Sequence, residues 1–224
     1  MSQQIRGLFV CLLLLGVIVG CGERTPQATD TSQGRQETQT KTIYESQTPE
    51  AGWKAIAGEG VVLSLPENYE GGNPSTELDQ IAEKLEAIDP GYAEKIQMIK
   101  RNPDAIALVA FDPQTTETRS LTNVNVVKQE VPDGTTLEQY LKSAKEQLST
   151  QYEVTESKVV PLARYQVGRM VAEATAGEIP IKQLFYAVQD GDTFWLVTYS
   201  TTTPEFDQRL PNFEKSIRTL SLPI

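Results

Sequence analysis

Between residues 153 and 201 four strand-like runs follow one another, at about 153–161, 164–175, 179–189 and 193–201, and the gaps between them are too short to hold a helix. Strands joined this tightly pair as antiparallel neighbours, because a parallel pair needs a crossover of a dozen or more residues. The third and fourth runs meet at Asp190-Gly191, a two-residue hairpin signal. In the fourth, Phe194, Leu196 and Thr198 share one face, and Trp195, Val197 and Tyr199 share the other.

Helices flank this run. Leu78, Ile81, Ala82, Leu85 and Ile88 recur at helical spacing until Asp89-Pro90-Gly91 breaks the pattern, and a shorter helix runs through Ala93, Ile96 and Ile99 to Asn102-Pro103. Thr135 and Glu138 predict a capping box for a helix that buries Leu137, Tyr140, Leu141, Ala144 and Leu148. A last helix is expected with Thr203 as N-cap and Pro204 at its first position, burying Phe206, Leu210, Phe213 and Ile217. Further strands are expected at Gly60–Pro66, Ala105–Phe111 and Asn123–Val131, the second apolar on both faces and therefore central. The fold class that follows is α+β: an antiparallel sheet of about six strands with helices packed on its faces.

"VVLSLPENY" at 61–69 and "FWLVTYSTTTPEFDQRLPNFEKSIRTLSL" at 194–222 resemble the PsbP-like family, the α/β/α sandwich of the extrinsic photosystem II subunit. The resemblance covers about residues 53–223 and implies that architecture. Some photosynthetic members of the family bind metal through histidine. This chain has no histidine, so no metal site and no cofactor carries over.

The chain begins quite differently. Residues 1–6 carry one basic residue, Arg6, and residues 7–19, "GLFVCLLLLGVIV", are uncharged and nearly all apolar. Thirteen residues give about 20 Å of helix, short of a hydrocarbon core of about 30 Å, so the run has the dimensions of a signal-peptide core. Ile18-Val19-Gly20-Cys21 follows and resembles the bacterial lipobox. That resemblance implies a diacylglycerol on the Cys21 thiol and cleavage before it. The competing readings are a simple secretory signal with an incidental cysteine, or a buried helix, which the polar stretch after Cys21 leaves with nothing to pack against.

Residues 22–50 are rich in Thr, Gln, Glu and Ser and hold too few apolar side chains to offset the entropy of ordering. The expected organisation is a lipoprotein signal peptide at 1–20, a lipidated cysteine and flexible tether at 21–50, and one globular domain at 51–224. Two or three acyl chains would hold such a protein almost permanently on the extracytoplasmic side of a membrane.

Chemistry is hard to find in this chain. It has 20 Lys and Arg against 30 Asp and Glu, a net charge of −10, which argues against a phosphate-neutralising nucleic-acid surface. Without histidine it lacks the commonest general base and metal ligand at neutral pH. Its two cysteines, Cys11 and Cys21, both precede the domain. No nucleophile elbow, phosphate loop or paired-cysteine motif occurs.

Gly58-Glu59-Gly60 reads as a turn, and Asp190-Gly191-Asp192 reads as a hairpin turn rather than a calcium loop. Asp112 reads as a turn cap. Arg169 and Glu173 alternate with Val167 and Val171, and Lys182 faces away from Ile181; all three read as solvent-face charges, with an Arg169–Glu173 ligand groove as the alternative. Trp53 and Trp195 read as core anchors. Two functions fit: a non-catalytic lipoprotein that binds or scaffolds a protein partner, or an envelope enzyme or small-ligand receptor built from carboxylates and tyrosines.

Overall fold

The computed structural model describes residues 49–114, 121–163, 165–176 and 179–222. Cys21, the signal segment and nearly all of the tether lie outside the described residues. The strands are β1 (Trp53–Gly58), β2 (Val61–Pro66), β3 (Glu70–Gly72), β4 (Leu108–Phe111), β5 (Asn123–Glu130), β6 (Glu153–Leu162), β7 (Tyr165–Ala176), β8 (Ile179–Asp190) and β9 (Thr193–Thr202). The helices are α1 (Pro74–Ile88), α2 (Ala93–Arg101), α3 (Leu137–Leu148) and α4 (Thr203–Ile217).

Seven strands form one antiparallel sheet in the order β3-β4-β5-β9-β8-β7-β6, one more than the six expected. The extra member is β3, a three-residue edge strand whose sequence, Glu70-Gly71-Gly72, reads as a turn. Glycine is required there. A Cβ on Gly71 would stand 2.1 Å from the Val109 carbonyl oxygen, so only a bare backbone lets β3 lie against β4. β1 and β2 form a separate hairpin around the Gly58–Gly60 turn, and Gly60 there has a φ of 68°. The chain leaves the sheet centre at β5, crosses through α3 to the far edge, and returns as the β6–β9 meander to pair with β5.

Side chains alternate between two cores, as the period of two demands. On one face Val197, Tyr199 and Leu184 meet the β1–β2 hairpin and Phe206, Phe213 and Ile217 of α4. On the other Phe194, Leu196 and Phe185 meet α1, α2 and all five expected stripe residues of α3. Burying the sheet on both faces gives the α/β/α sandwich, with a β-hairpin sharing one outer layer.

Three local expectations shift by one residue. The α3 N-cap is Thr136: its Oγ1 accepts from Gln139 N at 3.3 Å, and Gln139 Oε1 accepts from Thr136 N at 3.0 Å. The neighbouring hydroxyl, Thr135 Oγ1, donates instead to the Pro132 carbonyl at 2.6 Å. The α4 N-cap is Thr202, which makes no side-chain cap bond, and Pro204 follows inside the first turn. Asp190 pairs with Thr193, so Gly191-Asp192 forms the hairpin turn, with a φ of 59° at Gly191.

Candidate functional site

Two polar groupings lie within the sandwich. The first is ionic and sits on the α4 face. Asp112, at the end of β4, has only 2% of its side chain exposed. Its Oδ1 accepts from Asn68 Nδ2 at 2.8 Å and from Gln114 N at 3.0 Å, the turn cap expected from sequence. Its Oδ2 is held by Arg209 of α4, which also pairs with Glu205 at 3.1 Å. Burial opposes the charge on Arg209, but the bond to Asp112 and the surrounding negative charges outweigh it and raise its pKa.

Arg169 on β7 makes a second such node and is not a solvent-face charge. Its side chain is 11% exposed and pairs with Glu156 of β6 and, at 3.3 Å, with Glu214 of α4, while Nε donates to Tyr186 Oη at 3.3 Å. Glu173 pairs with Lys182 at 2.8 Å and not with Arg169. The burial of Arg169 follows from parity. Val167, Arg169, Val171 and Glu173 are two residues apart, so the charges share the valines' face, and α4 lies over it. Lys182 is on that face too, 4.9 Å from the Phe206 ring centroid.

The second grouping is neutral and lies on the opposite face. Asn123 of β5, Ser200 of β9 and Gln183 of β8 are direct cross-strand partners in one row. Asn125 and Thr198 are partners in the next row, with Phe185 beside Thr198. The five polar residues are 1–7% exposed. Gln183 Nε2 donates to Ser200 Oγ at 3.3 Å, and Asn123 Nδ2 donates to the Leu121 carbonyl at 3.0 Å. Among the described residues Asn123 Oδ1, Gln183 Oε1 and Thr198 Oγ1 have no hydrogen-bond partner.

Apolar residues frame this block. Phe111 continues the first row on β4 and Ala172 continues it on β7. Leu121 N donates to Tyr92 Oη at 3.2 Å, and Lys95 Nζ of α2 stands 5.1 Å from the Tyr92 ring centroid. Burial lowers the Lys95 pKa. Farther along the sheet α3 takes over the cover: Tyr140 stacks on Phe194 at 4.2 Å, and Leu141 fills the space above Gly168.

Of the residues singled out in the sequence, Trp195 is core, 3% exposed. Trp53 is half-buried at the domain margin, 4.4 Å below Lys215 Nζ. Asp190 and Asp192 stand at an exposed hairpin end. Among the described residues no three Asp, Glu, His or Cys side chains gather as a metal site, and no helix is long and apolar enough to cross a membrane. The neutral block went unnoticed in the sequence. Its signal was there: Asn123 and Asn125 repeat at a spacing of two in the half of the strand that is otherwise valine.

No protein family matches the chain by sequence, and no curated protein does. Solved structures do match in shape. The solution structure of cyanobacterial PsbP (CyanoP) from Synechocystis sp. PCC 6803 aligns with a TM-score of 0.50 at 11% identity, over 79% of this chain and 96% of that one. LpqN of Mycobacterium tuberculosis, described as involved in cell envelope biogenesis, aligns with a TM-score of 0.51 at 9% identity, over 76% of this chain and 91% of that one. At these identities the likeness establishes the fold, and the fold is PsbP-like.

Proposed function

We propose that the chain is a lipoprotein anchored through Cys21 on the extracytoplasmic side of a membrane, and that its PsbP-like domain is a non-catalytic module that engages a protein partner there. The observation that carries the non-catalytic reading is the fate of the buried ionic groups. Both Asp112 carboxylate oxygens are occupied, and Arg169 is shared between two glutamates. Burial pushes the hydroxyls of Tyr69, Tyr140 and Tyr199 well above the ordinary tyrosine range. Carboxylates and tyrosines committed in this way are poorly suited to proton transfer at neutral pH. Membership of the same fold by LpqN, a protein involved in cell envelope biogenesis, is compatible with an envelope role.

The test has two arms. Cys21→Ser should abolish incorporation of a labelled fatty acid and release the protein from the membrane; unchanged retention and mass refute the anchor. Photo-crosslinking from the domain surface in intact cells should then give a discrete protein adduct with the wild-type chain and lose it with Cys21→Ser. Adducts that are the same in both refute a membrane-surface partner.

A further inference from the structure

The seven-stranded sheet ends in two edge strands of unequal length: β3 has three residues and β6 has ten. Among the described residues β6 pairs with β7 on one side and with no strand on the other. A free edge of that length is a template for pairing with another chain. Both ends of this edge are blunted. Thr155 is an extra residue between Val154 and Glu156, where the register to β7 shifts, and Pro161 has no N–H to offer. Pro161 also fixes which backbone groups point outward. It lies opposite Gln166 inside the ladder, so its own position faces away from β7. By the alternation of an antiparallel ladder, Val159 and Ser157 turn their N–H and C=O groups outward as well. Residues 156–160 are thus a short open stretch between two blocked ends.

We propose that β6 pairs antiparallel with β6 of a second copy of this chain, across a two-fold axis at Ser157, so that two sheets join into one. Charge selects both the partner and the register. An axis at Glu156 would set two glutamates against each other, and an axis at Lys158 would do the same with two lysines. An axis at Val159 would set both charges opposite apolar residues, Glu156 against Leu162 and Lys158 against Val160. An axis at Ser157 sets Glu156 of each copy opposite Lys158 of the other. These two side chains already meet at 3.2 Å within one strand, so they share a face. Opposite charges on facing residues stabilise a strand pair, and like charges oppose it. The same axis puts Val154 opposite Val160 and Thr155 opposite Val159. It also lets the two Ser157 residues exchange N–H···O bonds through the groups they turn outward. Val159 is an exposed large apolar side chain, and it lies inside the paired stretch. The pairing is independent of the lipid anchor and of a partner of any other kind.

The test uses the full chain in intact cells oxidised with copper phenanthroline. The native cysteines are Cys11 and Cys21, so the parent chain sets the background. Ser157→Cys would face its own copy at about 5.5 Å between Cα atoms, a separation that a disulfide spans. Val159→Cys is the control on the same strand: in this register its copy lies four residues farther along, roughly 14 Å away. Ser157→Cys should therefore give a band at twice the chain mass, and Val159→Cys should stay at background. Val159→Pro removes an N–H that faces away from β7. Added to Ser157→Cys, it should abolish the band while the circular dichroism of the purified chain stays that of the parent. Lys158 is exposed, so Lys158→Glu leaves the fold intact. Added to Ser157→Cys, it turns two attractive pairs repulsive and should cut the yield about tenfold. Equal bands from both cysteines, a band from Val159→Cys alone, an adduct of any other mass, or a yield untouched by Lys158→Glu overturns the proposal.

Discussion

The domain should unfold in alkali, and its buried tyrosines set where. Tyr69, Tyr140 and Tyr199 are 3%, 5% and 0% exposed. Tyr140 Oη donates to Gln129 Oε1 at 2.7 Å. Tyr199 Oη donates to Ser216 Oγ at 3.0 Å, and Ser216 Oγ donates on to the Ser64 carbonyl at 2.7 Å. Burial is the chief cause that raises each of these three pKa values; beside Tyr69 the Arg209 charge only partly offsets it. A raised folded-state pKa means that the native chain keeps protons the unfolded chain releases. The stabilisation is therefore complete below about pH 10, the unfolded tyrosine value, and is lost as pH climbs toward the folded values. Each group contributes a slope of about 1.4 kcal/mol per pH unit in that window. Three together remove about 8 kcal/mol by pH 12, comparable with the ~5–15 kcal/mol that holds a domain together. Titration followed by tyrosinate absorbance should show a steep cooperative step above pH 11 that coincides with loss of circular dichroism. Tyr199→Phe leaves the Ser216–Ser64 bond in place, so it should flatten the pH dependence by about one proton. Smooth ionisation near pH 10 with the fold intact would refute the reasoning.

Phe213 is 2% exposed, stacks on Tyr199 at 4.9 Å and meets Phe206 edge-on at 6.4 Å. Phe213→Ala should therefore cost about 3–5 kcal/mol in urea unfolding, and a loss under about 0.5 kcal/mol would mark α4 as an exposed functional surface instead. Arg209→Met strands the Asp112 carboxylate in the interior and should cost about 3–5 kcal/mol. Adding Asp112→Asn to that variant should recover most of the loss, and failure to recover it would place the cost in packing rather than charge.

The β6–β9 meander was legible because each strand is long, alternates cleanly and ends at a turn. The α3 stripe was legible because four large apolar residues and Ala144 repeat the helical period without interruption. β3 was not, since its glycines signal a turn and their purpose, close approach to Val109 and Ala110 of β4, involves residues far along the chain. Cap positions slipped because Thr135-Thr136 and Thr201-Thr202-Thr203 offer equivalent hydroxyls in sequence, and only the backbone geometry chooses among them. Arg169 is a different case. Its parity with Val167 and Val171 already put it on a buried face, but one of the two glutamates that neutralise it there, Glu214 on the covering helix, lies 45 residues on. Strand periodicity assigns a face, and it does not say what covers that face.

The two polar groupings of the sandwich differ in what a polar side chain does once buried. On the α4 face each charge is matched: Asp112 meets Arg209, Asn68 and Gln114, and Arg169 meets two glutamates and a tyrosine. Such a set is closed. It orients α4 on the sheet and leaves its lone pairs engaged, so removing one member harms the fold. On the α3 face the amides and hydroxyls bond partly to one another and stop short, with three atoms unanswered beside apolar neighbours. A closed network predicts loss of stability on mutation, and an atom bonded to nothing predicts stability kept when it is removed. Arg209→Met and Thr198→Val, run side by side, separate the two cases: the first should destabilise the domain and the second should leave its melting point unchanged.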